Sequence, residues 1–275
     1  MKNIDLKTVE SFGEEWLRYD QSGMKDEESE KLFKKYFSIF PWSKLPKFAK
    51  GFDMGCGSGR WAKFVAPRVG HLHCIDPSQA IKVAKKKLKN FKNITYHTKS
   101  LDNVSLKKES QDFGYSLGVL HHVPDTQEAI KSCSKLLKPG APLLIYVYYN
   151  FDNRPLWFIF LWSFSNLVRN AVCRLPKYLK FLICDLIAIF VYFPLARIAL
   201  IIELLGISFK NFPLHFYRQT SFYVMRTDAR DRFGTPLEKR FSKKEIAVMM
   251  KKAGLEKIKF SNSAPFWTAI GFKKR

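Results

Sequence analysis

The chain has 275 residues, enough for one large domain or one domain with a substantial insertion. Lys and Arg number 47 against 24 Asp and Glu, a formal charge of +23, which suits an anionic partner: nucleic acid, a membrane surface or an acidic substrate. The lysines are spread along the whole chain with no DNA- or RNA-binding motif, which disfavours nucleic acid. The five cysteines (Cys56, Cys74, Cys133, Cys173, Cys184) have no paired spacing, which argues against a disulfide framework and a metal site.

The opening Met1–Lys7 is charged and lacks the apolar core of a signal peptide, so a reducing, cytoplasmic setting is expected. Residues 1–47 precede the first strand and hold two short amphipathic patterns, Phe12–Leu17 and Glu30–Phe40. An apolar strand then runs into Asp53-Met54-Gly55-Cys56-Gly57-Ser58-Gly59, and Arg60–Val65 reads as a helix. Glycines on alternate positions let the backbone turn sharply and let a ligand approach the main chain. The helix behind them would point free N–H groups at that ligand. The third glycine comes one residue too early for the dinucleotide pattern, and no phosphate-loop motif occurs.

The second strand, His71–Ile75, ends on Asp76, and Pro77 closes it. The third strand is Asn93–Thr98, followed by Lys99-Ser100-Leu101-Asp102. The fourth is Asp112–Leu120, containing Leu117 and Gly118 and leading into His121-His122-Val123-Pro124-Asp125. A helix from Thr126 to Leu137, the turn Lys138-Pro139-Gly140 and a fifth strand, Leu143–Tyr149, complete this half. Strands alternating with helices imply a parallel sheet covered on both faces.

The D-x-G-x-G-x-G run, the acid after the second strand and the histidine block resemble the class I S-adenosylmethionine-dependent methyltransferases of the small-molecule and lipid type. The resemblance implies an α/β fold, a Rossmann-like doubly wound seven-stranded sheet, with S-adenosyl-L-methionine as cofactor. It places Asp53, Gly55, Cys56, Gly57 and Gly59 around the cofactor, Asp76 on its ribose, and Ser100 and Leu101 near its adenine. Ser100 stands where the family commonly has an acid. Leu117 and Gly118 border the same site. His122, with His121 second, is the expected base because imidazole titrates near neutral pH. Tyr149 is expected beside them, and Tyr148 at the acceptor. The N-terminal segment either covers the acceptor pocket or packs on the sheet edge.

Residues 151–226 interrupt this pattern as a helical, apolar insertion after the fifth strand. Trp157, Phe158, Phe160 and Trp162 open it, with Ser163, Asn166, Asn170 and Arg174 on the opposite helical face. Phe181–Leu205 is apolar, but Asp185, Pro194, Arg197 and Glu203 break the run of about 20 apolar residues that a span requires. Pro194 should break or kink a helix there, so two helices are expected. The insertion reads as a lid over an acceptor pocket, as a peripheral membrane contact with Arg169, Arg174, Lys177 and Lys180 at anionic headgroups, or as added core or a homo-oligomer interface. Tyr217, Arg218, Tyr223 and Arg226 in its last part are candidate acceptor contacts. The run Arg226–Gly234 reads either as an anion clamp or as a loop of internally paired salt bridges.

The nucleotide fold resumes at 227–275. Ser242 and Glu245 form a capping-box pattern, Gly254 ends the helix, and Leu255–Ser261 and Phe266–Phe272 form a closing antiparallel pair. The expected activity is methyl transfer to a small or amphiphilic, lipid-like acceptor. A non-catalytic cofactor-binding partner protein and an RNA methyltransferase are the alternatives.

Overall fold

A computed structural model describes residues 3–208 and 211–275. In chain order it contains α1 (Leu6–Arg18), α2 (Asp26–Tyr36), β1 (Lys50–Met54), α3 (Ala62–Val65), β2 (His71–Ile75), α4 (Ala80–Lys87), β3 (Ile94–His97), β4 (Phe113–Leu117), α5 (Thr126–Leu136) and β5 (Pro142–Tyr146). Then come α6 (Leu156–Val172), α7 (Lys177–Ile187), α8 (Phe193–Leu204), α9 (Phe222–Gly234), α10 (Lys243–Lys252), β6 (Leu255–Phe260) and β7 (Ala269–Lys273). The chain divides into two compact units: a first one up to Gln21 with Ser29–Asn150 and Leu237–Arg275, and a second of Ser22–Glu28 with Phe151–Pro236.

The first unit is built on a seven-stranded sheet of order β3-β2-β1-β4-β5-β7-β6. β1 to β5 are mutually parallel, while β7 runs antiparallel to β5 and to β6. This is the Rossmann-like, doubly wound sheet with its closing hairpin, and a helical insertion follows β5. The central strands are apolar on both faces because helices cover both. Phe52, Ile75, Ile130, Leu143, Ile145 and Ile246 are buried in one shared core. α2 brings Phe33 and Phe37 into a second aromatic cluster, in which the Phe37 ring meets Tyr115 of β4 edge-on at 5.2 Å.

Local signals set the element ends. The Asp125 carboxylate accepts from the Glu128 N–H and opens α5. Ser242 and Glu245 cap α10 reciprocally, and Gly254, at φ +77°, follows its end. Two expectations are corrected. β4 stops at Leu117 because Gly118 turns to φ +78°, so His121 and His122 lie on a 3-10 turn. The helix expected over Arg60–Val65 is only the four residues of α3, followed by a 3-10 turn carrying Pro67. So short a helix adds little dipole to the glycine loop.

In the second unit, α7 and α8 form one continuous 28-residue helix, Lys177–Leu204, joined by a π-helical stretch at Ala188–Tyr192. The two expected helices are present, but they join without a break at Pro194. Pro194 lies in the first turn after the π stretch, where the widened ladder accommodates its missing N–H. The Arg226–Gly234 run is helix rather than loop: it lies in α9, which Ser221 caps by accepting from the Val224 N–H. Met225, Ala229 and Phe233 of α9 pack with Cys184, Ala188 and Tyr192 into this unit's own core. The division therefore falls at Pro236, ten residues beyond the sequence boundary, because α9 belongs to that core.

Candidate cofactor and catalytic site

β1 delivers the chain into Gly55, Gly57 and Gly59, all left-handed, with φ of +79°, +52° and +78°. Gly55 has no room for a side chain, since an added Cβ would come within 2.4 Å of the Val119 methyl. That contact sets the turn after β4 directly against the loop. The Gly55 and Cys56 N–H groups both donate to the Ile75 carbonyl, at 2.8 and 3.0 Å, which ties the loop to the end of β2. Cys56 itself is buried.

The Gly57 N–H donates to Asp76 Oδ2 at 2.8 Å. Asp76 Oδ1 accepts from the Ser78 N–H at 2.8 Å and the Ser78 hydroxyl at 2.6 Å. The loop and the post-β2 acid are thus one hydrogen-bonded assembly. Burial pushes the Asp76 carboxyl up, and the bonds from Ser78 and Gly57 oppose that shift. Beneath it, Asp53 is fully buried, and burial pushes its pKa up to about 8 despite the Tyr115 hydroxyl, which donates to Oδ2 at 3.0 Å.

α1 crosses three of these loops. A Cβ on Gly13 would meet the Gln79 amide nitrogen at 3.4 Å and Ser78 Cβ at 3.6 Å, and one on Gly57 would meet Trp16 Nε1 at 3.3 Å. The Phe12 ring stands edge-on to His122 with centroids 4.8 Å apart. Positions 12, 13 and 16 lie on one side of a helix, so α1 roofs the glycine loop, the post-β2 turn and the post-β4 turn together. None of these three residues was expected at the site. The helical spacing of Thr8, Ser11, Phe12, Glu15, Trp16 and Tyr19 was the available signal.

The histidines form a stack with a tyrosine. His121 lies between His122 and Tyr148, with ring centroids 3.9 Å from each. His121 is fully buried, and burial followed by the neighbouring His122 and Arg240 holds it neutral, well below the ordinary imidazole range. Among the described residues neither His121 ring nitrogen has a hydrogen-bond partner. His122 Nδ1 lies 2.6 Å from the Leu237 carbonyl, which can only accept, so Nδ1 carries the proton and donates. That tautomer leaves the lone pair on Nε2.

Tyr148, not Tyr149, stands beside the histidines. Successive residues of an extended chain point to opposite sides. Tyr148 joins the histidines, and the Tyr149 ring turns to Phe266 and Trp267, at 5.8 and 6.5 Å. Ser100 and Leu101 follow β3, where Leu101 packs on the core, and Leu117 is buried at the end of β4. The other candidate acceptor contacts lie in the second unit and are engaged within it. Arg218 makes a two-pronged ion pair with Glu203, at 2.7 and 2.8 Å. Arg226 does the same with Asp185, at 2.6 and 2.5 Å. The Tyr217 ring packs 5.2 Å from Tyr192, and Tyr223 lies against Gly23. The charged run is therefore helical, and its Arg226 pairs with Asp185 of α7. Arg230 is buried with its guanidinium over the Phe181 ring at 4.5 Å.

Residues 52–145, which hold this loop and histidine turn, match the family model of a methyltransferase domain. This stretch is similar to methyltransferase domains. The ubiquinone biosynthesis O-methyltransferase of Coxiella burnetii is 32% identical over 93 residues, 33% of this chain and 40% of that protein. The enzyme of the same name from Marinobacter nauticus is 29% identical over 133 residues, 46% of this chain and 53% of that protein. The chain thus spans about half or less of the length of these relatives. A methyltransferase structure from Thermotoga maritima aligns over 96% of this chain and 100% of its own, with a TM-score of 0.51 and 14% identity, a likeness of fold.

The cofactor expected from the likeness to methyltransferase domains is S-adenosylmethionine, and the residues present fit it. Gly118, left-handed at φ +78°, faces open space, with nothing within 4 Å of an added Cβ. The main chain at Gly55–Gly59 is bare of side chains except for Cys56 and Ser58, both turned into the protein. Asp76 Oδ2 carries one hydrogen bond and retains acceptor capacity for a ribose hydroxyl.

Proposed function

We propose that this chain transfers a methyl group to an oxygen of a small, amphiphilic acceptor, with His122 as general base. The observation that carries the reading is the Nδ1–H bond of His122 to the Leu237 carbonyl. It fixes the ring and commits Nε2 to accepting a proton. The relatives' shared name, an O-methyltransferase of ubiquinone biosynthesis, supports an oxygen acceptor on an amphiphilic molecule.

When bound, S-adenosylmethionine supplies a methyl group already activated on a sulfonium sulfur. The protein's tasks are then to orient the acceptor and exclude water. Asp76 would hold the ribose, the glycine loop would admit the cofactor to the main chain, and α1 would cover both. His122 Nε2 would take the proton of the acceptor's hydroxyl, leaving that oxygen able to accept the methyl group. Neutral, buried His121 stacks between His122 and Tyr148 and holds the base in place without competing for that proton.

The test uses methyl-labelled cofactor with a total lipid extract and with simple catechols. His122→Ala should lower turnover by roughly 10²- to 10⁴-fold, the usual worth of a positioned base. S-adenosylhomocysteine affinity should stay within about twofold of wild type. The defect should shrink at alkaline pH, where a phenolic acceptor ionises unaided. Wild-type turnover in His122→Ala would remove it as the base.

A further inference from the structure

The second unit leaves two apolar helix faces in solvent. On α6, Leu156, Trp157, Phe160, Phe164 and Leu167 are exposed, Phe160 by 79%. On the continuous helix Lys177–Leu204 the exposed set includes Tyr178, Leu182, Leu186, Phe190, Ile201 and Leu204, with Phe190 at 71% and Leu204 at 77%. Only 22% of the most apolar 18-residue window of that helix is buried. Water-soluble monomers rarely leave a contiguous apolar surface of this extent uncovered.

The inward faces pack on the unit's own core and are flanked by paired polar groups. Along the long helix, Asp185 pairs with Arg226 of α9, and Glu203 pairs with Arg218. Arg197 donates to the Arg218 and Thr220 carbonyls, both at 3.2 Å. On α6, the buried Arg169 donates to the Thr235 carbonyl at 2.9 Å and the Pro236 carbonyl at 3.2 Å. Between the helices, at the turn from α6 to α7, Arg174 and Lys177 are exposed.

We propose that these faces seat the second unit on an anionic lipid bilayer, with the Lys177–Leu204 helix lying in the plane of the interface. Charge selects the occupant. At +23, two copies of this chain repel each other, whereas an anionic leaflet attracts the chain and meets Arg174 and Lys177 at headgroup level. The paired groups select the orientation. The helix is about 42 Å long at 1.5 Å per residue, long enough to cross. Crossing would carry Asp185, Glu203 and the charged helix α9 into hydrocarbon along with it. Lying flat immerses the apolar side and leaves the paired side outside. This stands on the second unit's faces and the charge of the chain, and does not depend on the methyl-transfer reading.

The full-length protein is mixed with preformed vesicles of equal phosphatidylglycerol and phosphatidylcholine, and with phosphatidylcholine vesicles, and each mixture is floated on a density gradient. Wild type should float with the anionic vesicles. It should partition at least about tenfold less with neutral ones or in 1 M salt, where the Debye length falls to about 3 Å. Alkaline carbonate should release it. The double variant Phe160→Glu/Phe190→Glu should lose at least tenfold in partition while binding S-adenosylhomocysteine as wild type does. A wild-type protein that stays with the soluble fraction overturns the proposal, as does a stable dimer that ignores vesicles. Resistance to carbonate overturns the in-plane orientation.

Discussion

Asp53 is a buried carboxyl with one hydroxyl donor, the Tyr115 phenol, and with the Asp76 carboxylate near enough to repel it. Its pKa rises from 3.8 to about 8 on folding. Between those values the folded chain keeps a proton that the unfolded chain releases. The stabilisation is therefore complete below about pH 4 and lost as pH rises through about 8. Asp53→Asn removes that slope. Its thermal midpoint without ligand, taken relative to wild type, should climb steadily from pH 5 to pH 8.5. A constant difference across that range would contradict the buried, protonated state. The acid at position 53 was legible in sequence as the start of the glycine pattern. Its phenolic partner was not, because Tyr115 lies 62 residues away and meets it only through the β1–β4 register.

α1 connects a sequence pattern to the site through its inner side. Phe12, Gly13 and Trp16 touch the His122 turn, the Ser78 turn and the glycine loop in order. Trp16→Ala should weaken S-adenosylhomocysteine binding about tenfold, equivalent to about 1.4 kcal/mol, while Trp16→Phe retains most of the affinity. Equal affinity in all three proteins, by calorimetry, would show that the helix does not cover the ligand. Periodicity identified this segment as helical but did not say what it faces, since an amphipathic stripe reads alike over a ligand or over a sheet edge. The same limit explains the tyrosines. Alternation says that neighbours part, and only the finished strand end shows that Tyr148 rather than Tyr149 meets the histidines. Pro194 misled for another reason: a π stretch supplies room that no local rule anticipates.

At the scale of the molecule, the sheet order and the site at its strand ends follow from strand and helix alternation and from the glycine loop. The limits of the second unit do not. Ser22–Glu28 joins it through long-range contacts, because the Glu28 carboxylate accepts from the Ser221 N–H at 2.8 Å and Tyr223 covers Gly23. The first unit is continuous across the insertion. The Asn150 N–H donates to the Phe241 carbonyl at 3.1 Å, and the Phe241 N–H to the Tyr148 carbonyl at 2.9 Å, so its chain closes on itself where the insertion leaves and returns. The first unit thus has its own sheet, glycine loop and histidine turn, and cofactor binding is expected of it alone. Calorimetric titration of S-adenosylhomocysteine into wild type and Gly57→Val tests that claim most directly. The valine would be strained at φ +52° and would set its Cβ 3.3 Å from Trp16 Nε1. Saturable one-to-one binding by wild type and none by the variant is the expected result. No binding by wild type, or equal binding by both, would contradict the account.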